Sequence, residues 1–305
     1  MERVHALAKK VSNWGRWGKD DELGTLNFIT PEVVRRAAAC VRRGVVFSLG
    51  LPFDSRGPQI GTGGRINPIH LMSVTAGRVG DDPDGFHYAD DFVTMPLQCA
   101  TQWDSLAHVF YGGKLYNGFP ASSITSSGAA YDSIDKVRGI VSRGVLLDVA
   151  RLRKVDRLQG GEIITPADLE AAEKMAAVTV GSGDVLLVRT GWLDVFKTEG
   201  NRQEYMTKEP GLGIACVEWL HEREVAAVAA DTQAVEVYPG EDPKLMLPVH
   251  MLCIRDMGLT LGEMFDLDAL AEDCARDGVW AFLFSAPPLK VTGAVGSPLN
   301  PLAVK

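Results

Sequence analysis

Cysteine is scarce. The chain has five in 305 residues (Cys40, Cys99, Cys216, Cys253, Cys274), an odd number, widely scattered and without a C-x-x-C pair. This excludes a disulfide framework and a thiolate zinc site. Positive charge is also short: 31 Lys and Arg stand against 39 Asp and Glu, a formal net charge of −8. A general binder of nucleic acid or of anionic membranes carries the opposite surplus. No apolar run approaches the ~20 residues of a membrane span. The longest uncharged apolar runs, Val225–Ala230 and Val279–Phe284, are strand-sized. The chain starts Met-Glu-Arg and reaches Lys9-Lys10 without the apolar stretch of a secretory signal. These absences lead us to expect a soluble, cytoplasmic protein with no nucleic-acid or membrane partner.

Several catalytic signatures are missing too. Gly61-Thr-Gly-Gly64 follows no strand and lacks the G-x-G-x-x-G spacing of a dinucleotide loop. Gly113-Lys114 is followed by Leu115 and has no glycine five positions earlier, so it is no phosphate loop. His221-Glu222 has no second histidine at Val225, which excludes a zincin helix. No G-x-S-x-G elbow occurs, which argues against a serine hydrolase.

What is present is ordinary globular material, 46% hydrophobic and 23% charged. Thr30-Pro31-Glu32 opens a helical run from Val33 to Arg43 that stops at Gly44, with a threonine cap and a proline in the first turn. Thr165-Pro166-Ala167-Asp168 repeats the signal before Leu169 to Val178. Gly213 to Glu224, with Ile214, Val217 and Leu220 on one face, predicts a third helix. Short, continuously apolar runs at 144–149, 184–189, 225–230 and 280–284 predict strands buried on both faces. Helices alternating with such strands predict an α/β fold, a layered mixed β-sheet with flanking helices. The Gly-, Pro- and Asp-rich stretch from Leu51 to Asp91 reads as long surface excursions around a site. With no repeat or linker, residues 1–305 read as a single domain.

The strongest chemical signal lies between Gln98 and His108: Gln-Cys-Ala-Thr-Gln-Trp-Asp-Ser-Leu-Ala-His. Extended backbone alternates side chains between faces. Gln98, Gln102, Asp104 and His108 then share one edge, with Thr101 and Trp103 opposite. Such a polar row is costly in an apolar setting unless it binds something; spacing alone favours a wet edge strand.

This stretch resembles the signature H-x-G-T-H-x-D-x-P-x-H of the metal-dependent cyclase superfamily, which includes bacterial kynurenine formamidase, isatin hydrolase and trans-dienelactone hydrolase. Without gaps, its first histidine falls on Gln98, its glycine on Ala100 and its threonine on Thr101. The second histidine falls on Gln102, the aspartate on Asp104, the proline on Leu106 and the last histidine on His108. Further landmarks follow in the family's order: Ile164–Leu169, Gly183–Trp192, Pro210–Gly213, Ala229–Thr232, Pro248–His250, Leu261–Leu267 and Gly293–Pro301. The resemblance implies an enzyme that hydrolyses, or closes, the lactone or amide ring of a small carbonyl compound. It implies catalytic roles for Asp104, His108, His250 and Glu263, and it implies a metal in which ligated water attacks the carbonyl while His108 moves the proton.

Both signature histidine ligands are glutamine here, and a neutral amide oxygen binds zinc far more weakly than imidazole does. A set of Gln98, Gln102 and Asp104 would suit manganese or magnesium better than zinc. With the metal lost, Asp104, His108, His250 and Glu263 would remain as an acid–base set for a cyclase, lyase or isomerase, or for a non-catalytic binder. Phe53, Trp103 and Tyr116, with Trp14 and Trp17, are candidates for an aromatic substrate wall. Glu263 could instead cap a helix running from Met264 to Cys274. A homo-dimer or homo-tetramer is expected from the resemblance and from the aromatic segment Asn13–Phe28, whose apolar groups could cover a neighbour.

Overall fold

The computed structural model describes all 305 residues. Its centre is four parallel strands: β5 (Val141–Asp148), β6 (Val185–Arg189), β7 (Ala227–Ala230) and β8 (Thr260–Glu263). Three of them carry the predicted runs at 144–149, 184–189 and 225–230, buried on both faces; Thr260–Glu263 carried no strand prediction, and the run at 280–284 lies instead in an antiparallel strand whose burial alternates. Antiparallel strands extend it. On one side lie β9 (Ala281–Ser285), β11 (Leu302–Val304) and β1 (Val46–Ser48); on the other lie β4 (Gln102–Asp104) and β10 (Gly296–Pro298). The full order is β1-β11-β9-β5-β6-β7-β8-β4-β10. The α/β expectation of a mixed sheet with flanking helices is met.

Helices cover both faces. α1 (Glu2–Val11), α3 (Pro166–Ala176) and α4 (Cys216–Glu222) help enclose one apolar cluster, with Val145, Leu186, Val228 and Leu261 from the strands. The other face packs α5 (Asp268–Asp277) with Trp103, Phe265, Phe282 and Phe284. α3 starts at a capping box in which Thr165 and Asp168 satisfy each other's backbone N–H groups. α2 (Pro31–Ala38) opens on the Thr30 cap but ends well before Arg43. The reason is tertiary: the N–H groups of Arg43 and Val45 bond to Lys305 O, which draws that segment onto the sheet edge. α4 begins later than Gly213, whose N–H is already committed to Ile164 O.

The stretch from Leu51 to Asp91 is an irregular loop followed by an arm. In the arm β2 (Ile69–Arg78) pairs antiparallel with β3 (His87–Thr94), and nearly every residue is exposed. No helix is long and apolar enough to cross a membrane.

Candidate active site

In an open α/β sheet, ligands collect outside the carboxyl ends of the parallel strands. Three acidic residues stand there: Asp148 closes β5, Asp231 follows β7 and Glu263 closes β8. Asp148 is tied up by Arg189 and by the Arg151 N–H. Asp231 is a clamp between strands, accepting from Thr190 N (2.9 Å), Thr190 Oγ1 (2.6 Å) and Gly191 N (2.7 Å). Burial raises its carboxyl to about 6 against the pull of Arg189 and these donors. Glu263 is the one left facing other reactive groups.

Strand β4 brings those groups in. Only residues 102–104 of the signature stretch are strand, and turns and bends flank them. Gln102 pairs with Glu263 across the antiparallel register, while Gly296 of β10 lies opposite Asp104. Alternation then sends Gln102 and Asp104 to one face and Trp103 to the other. Gln102 Nε2 donates to Glu263 Oε2 and, at 3.5 Å, to Asp104 Oδ1.

His250 arrives from a turn of helix, Pro248–His250, that continues as a π-helix, Met251–Met257. Glu236 aims it: one carboxylate oxygen accepts both the His250 N–H (2.7 Å) and Nδ1 (2.6 Å), and the other accepts Val249 N (3.0 Å). Because a carboxylate only accepts, Nδ1 carries the proton. Nε2 is left facing Glu263 Oε1 at 3.2 Å and Asp104 Oδ2 at 3.8 Å.

Asp104, His250 and Glu263 are all buried, and one ligand atom from each lies within 4.8 Å of the others. Burial and the Glu263 charge push the Asp104 carboxyl well above the usual carboxylate range. Burial would depress His250, but its bonds to Glu236 and Glu263 win and hold the imidazole well above its ordinary value. Two lone-pair atoms have no partner although they are sealed from solvent, Asp104 Oδ2 and Gln102 Oε1. The centre therefore calls for positive charge, as a proton on Nε2 or as a cation. A nitrogen and two carboxylates form a donor set that fits a divalent ion.

His108 stands at the mouth. Its Nε2 is 3.7 Å from Asp104 Oδ1, and its side chain is 20% exposed where Asp104 is fully covered. Burial, with Arg65 and His250 adding to it, lowers its pKa to about 4, so the ring is neutral near pH 7.

The structure does not bring every candidate to this centre. Gln98 is partly buried over Gly296, where a Cβ would come within 2.5 Å of its Nε2, and it bonds to none of the clustered groups. Trp103 belongs to the opposite core: it packs on Phe265 and Phe284 and donates to Ala286 O. Tyr116 is fully buried against Gly258, with its hydroxyl on Asp21. Neither faces the centre, because an aromatic ring at these positions gains more by filling core. Phe53 is half-buried in the loop after β1. Glu263 ends a strand and caps no helix, since α5 starts only at Asp268. His70 and His87 lie on the exposed arm, bonded to Asp91 and Pro83 O. A cavity of about 1010 Å³ is lined by Leu51, Arg56, Phe196, Lys197 and Arg202 among others, and includes none of the clustered residues. Lys197 pairs there with Asp266 and Arg56 with Asp54, while Arg202 donates to Arg56 O. Glu236 and Arg65 carried no sequence signal, since neither stands at a ligand spacing from the residues it serves.

A family model described as “Putative cyclase” matches residues 21–237. The chain belongs to the cyclase family. This cyclase-family enzyme is 42% identical to a crystal structure described as a novel cyclase, over 98% of this chain and 99% of that one, with a TM-score of 0.90. Isatin hydrolase A from Ralstonia solanacearum shares the fold at 20% identity, covering 90% of this chain and 98% of that chain, with a TM-score of 0.63. So does a structure described as a predicted metal-dependent hydrolase from Bacillus stearothermophilus, at 16% identity, 86% and 98% coverage and a TM-score of 0.53. No curated protein matches the chain.

Proposed function

We propose that this cyclase-family enzyme hydrolyses, or closes, the lactone or amide ring of a small carbonyl compound at the Asp104–His250–Glu263 centre. The observation that carries the reading is the buried meeting of His250 Nε2 with two carboxylates, beside two oxygens that lack any partner. The named activities of the structural relatives support it. Asp104, His250 and Glu263, with the Gln102 carbonyl, would hold a divalent ion of the manganese, zinc or magnesium class. Such an ion lowers the pKa of water and polarises a carbonyl.

The chain's own residues do the rest. Glu236 keeps the proton on Nδ1 and Nε2 turned inward, and such supporting contacts tune affinity and activity by about 10–100-fold. Gln102 holds the two carboxylates in register. His108, neutral and at the mouth, accepts a proton from the attacking water and returns it to the departing oxygen or nitrogen. Burial of everything behind His108 keeps bulk solvent out and strengthens each polar contact.

The second reading is a metal-free cyclase, lyase or isomerase with Asp104 and His108 as acid–base groups. It is favoured by the Gln102 amide, which donates to both carboxylates. Elemental analysis of the purified protein separates the two, and turnover on lactones, arylformamides and polyketide-like ring compounds tests the enzyme itself. About one equivalent of a divalent metal together with ring hydrolysis supports the first reading. Turnover without metal supports the second, and neither metal nor turnover leaves a binder.

A further inference from the structure

The arm, β2 with β3, pairs with no other strand of the chain. Its tip is the barest part: Val79 is 65% and Phe86 66% exposed, and Phe86 stacks on Tyr88 of the same arm. The arm is acidic as well, since residues 69–94 hold five Asp against a single Arg. His70 with Asp91 is its one ion pair, and Asp82 accepts Asp84 N within its own turn. The carboxylates of Asp81 and Asp84 are left unmatched at the tip. Bare apolar groups beside unpaired charge mark a contact surface, and a two-stranded ribbon alone has little to hold it.

The cavity of about 1010 Å³ offers the opposite pattern. Its apolar lining, Leu51, Ile60 and Phe196, joins the small cluster around Trp192 and Met264. Its charged lining is Arg56, Lys197 and Arg202 against Asp54 and Asp266, an excess of one positive charge in a chain of net −8. Arg202 meets no carboxylate; it donates to Arg56 O at 2.8 Å, and a guanidinium has five N–H groups to give. No arm residue lines the cavity, yet the arm springs from its rim. Asn67, two residues before β2, exchanges hydrogen bonds with the backbone of Gln59, which lies between the lining residues Pro58 and Ile60. A ten-residue strand runs about 33 Å, so the tip is carried away from the cavity beside its own root.

We propose that two copies of this chain exchange arms. Val79 and Phe86 at each tip seat on Leu51, Ile60 and Phe196 of the other copy, and Asp81 and Asp84 meet its Arg202 and Arg56. A two-fold axis makes the exchange reciprocal, because the surface that gives an arm also receives one. With each root beside its own cavity and each tip in the other, the two ribbons lie side by side in opposite directions. That arrangement also covers the apolar groups bare along the arm's length, such as Leu71 and Phe92.

The test is association of the full chain, followed by light scattering over a dilution series, with circular dichroism to show that each variant is folded. Phe86→Asp is expected to weaken association about tenfold or more. So is reversal of the arm (Asp81→Lys with Asp84→Lys) or of the cavity (Arg56→Glu with Arg202→Glu), since like charges then face each other. The tip bonds to nothing outside the arm, so the arm variants keep the fold; should the paired cavity reversal not fold, Arg202→Glu alone replaces it. The deciding step is to mix the arm-reversed chain with the cavity-reversed chain. Each contact of the mixed dimer then joins opposite charges, and association should return although neither chain associates alone. A native protein at the single-chain mass of 33.0 kDa, full association in Phe86→Asp or in the arm-reversed chain, or two folded variants that stay apart when mixed would each overturn the exchange.

Discussion

Asp104 carries an oxygen with no partner, sealed beneath His108 and opposite His250. An anion so placed persists only because something positive meets it. Asp104→Asn keeps the shape and removes the charge. It is therefore expected to abolish metal retention and turnover together, measured by elemental analysis and steady-state kinetics, while leaving the fold intact by circular dichroism. Retained metal with full activity would move the centre elsewhere. His108 differs in kind, because it is partly exposed and its only close ionic neighbour is 3.7 Å away. His108→Ala should lower kcat by about 10²–10⁴-fold, the usual contribution of a positioned proton carrier. Its folding cost should stay below about 2 kcal/mol, as for most partly exposed polar side chains. A variant that unfolds, with full specific activity in whatever remains folded, would make His108 structural.

Strand β4 is three residues long, yet it divides the molecule: Gln102 and Asp104 face the centre, and Trp103 anchors the core behind them. The indole lies so close to β8 that a Cβ on Gly262 would sit 2.3 Å from the Trp103 ring and 2.8 Å from Ala229 Cβ. Glycine there is required by space, since the site strand can approach β8 only over a bare backbone. Gly262→Ala should destabilise the protein by about 1–3 kcal/mol in a denaturant titration, the usual cost of overpacking. It should also depress activity, because the displaced tryptophan shifts the strand that carries Asp104. The Gln98–His108 stretch shows how far local pattern reaches. Alternation correctly paired Gln102 with Asp104. The same rule put Gln98 and His108 in that row, but the flanking residues turn instead of extending.

The whole molecule has its own signatures. Asp132 sits in left-handed backbone (φ 58°), nearly inaccessible, with neither carboxylate oxygen bonded. Burial, with Glu22 and Asp21 adding to it against Lys136, raises its carboxyl from 3.8 to about 8. The folded chain thus holds a proton that the unfolded chain releases. Its stabilising contribution is complete below about pH 4 and is lost as the pH rises through 8. Asp132→Asn tolerates the same backbone and cannot ionise. Its melting temperature should match that of the native chain near pH 4 and exceed it by several degrees near pH 8.5; parallel curves would refute this. Association is the other question at this scale. The aromatic segment Asn13–Phe28 is bonded to its own chain, with Asn13 on Met257 O and Trp14 on Arg255 O. The arm is what stays bare: Ile69, Leu71, Met72, Phe86, Phe92 and Val93 are each at least 45% exposed. A lone two-stranded ribbon is marginal in water. We therefore expect a homo-dimer or homo-tetramer, and light scattering should return a multiple of the 33.0 kDa chain mass; the single mass at micromolar concentration would refute it.

The sequence by itself determined three of the four parallel core strands, the caps that start α2 and α3, and the family, because these rest on local periodicity, hydrogen-bonding residue types and ordered landmarks along the chain. It also singled out Asp104, His108, His250 and Glu263. Only the tertiary structure decided which of them meet. Glu263 reads equally well as a helix cap until β8 is seen to end there, and Trp103 and Tyr116 read as pocket wall until the core claims them. Glu236 and Arg65 carried no signal at all. Their importance lies in which buried atoms end up beside one another, or beside nothing, and sequence separation says little about that once a parallel sheet has brought distant strand ends together.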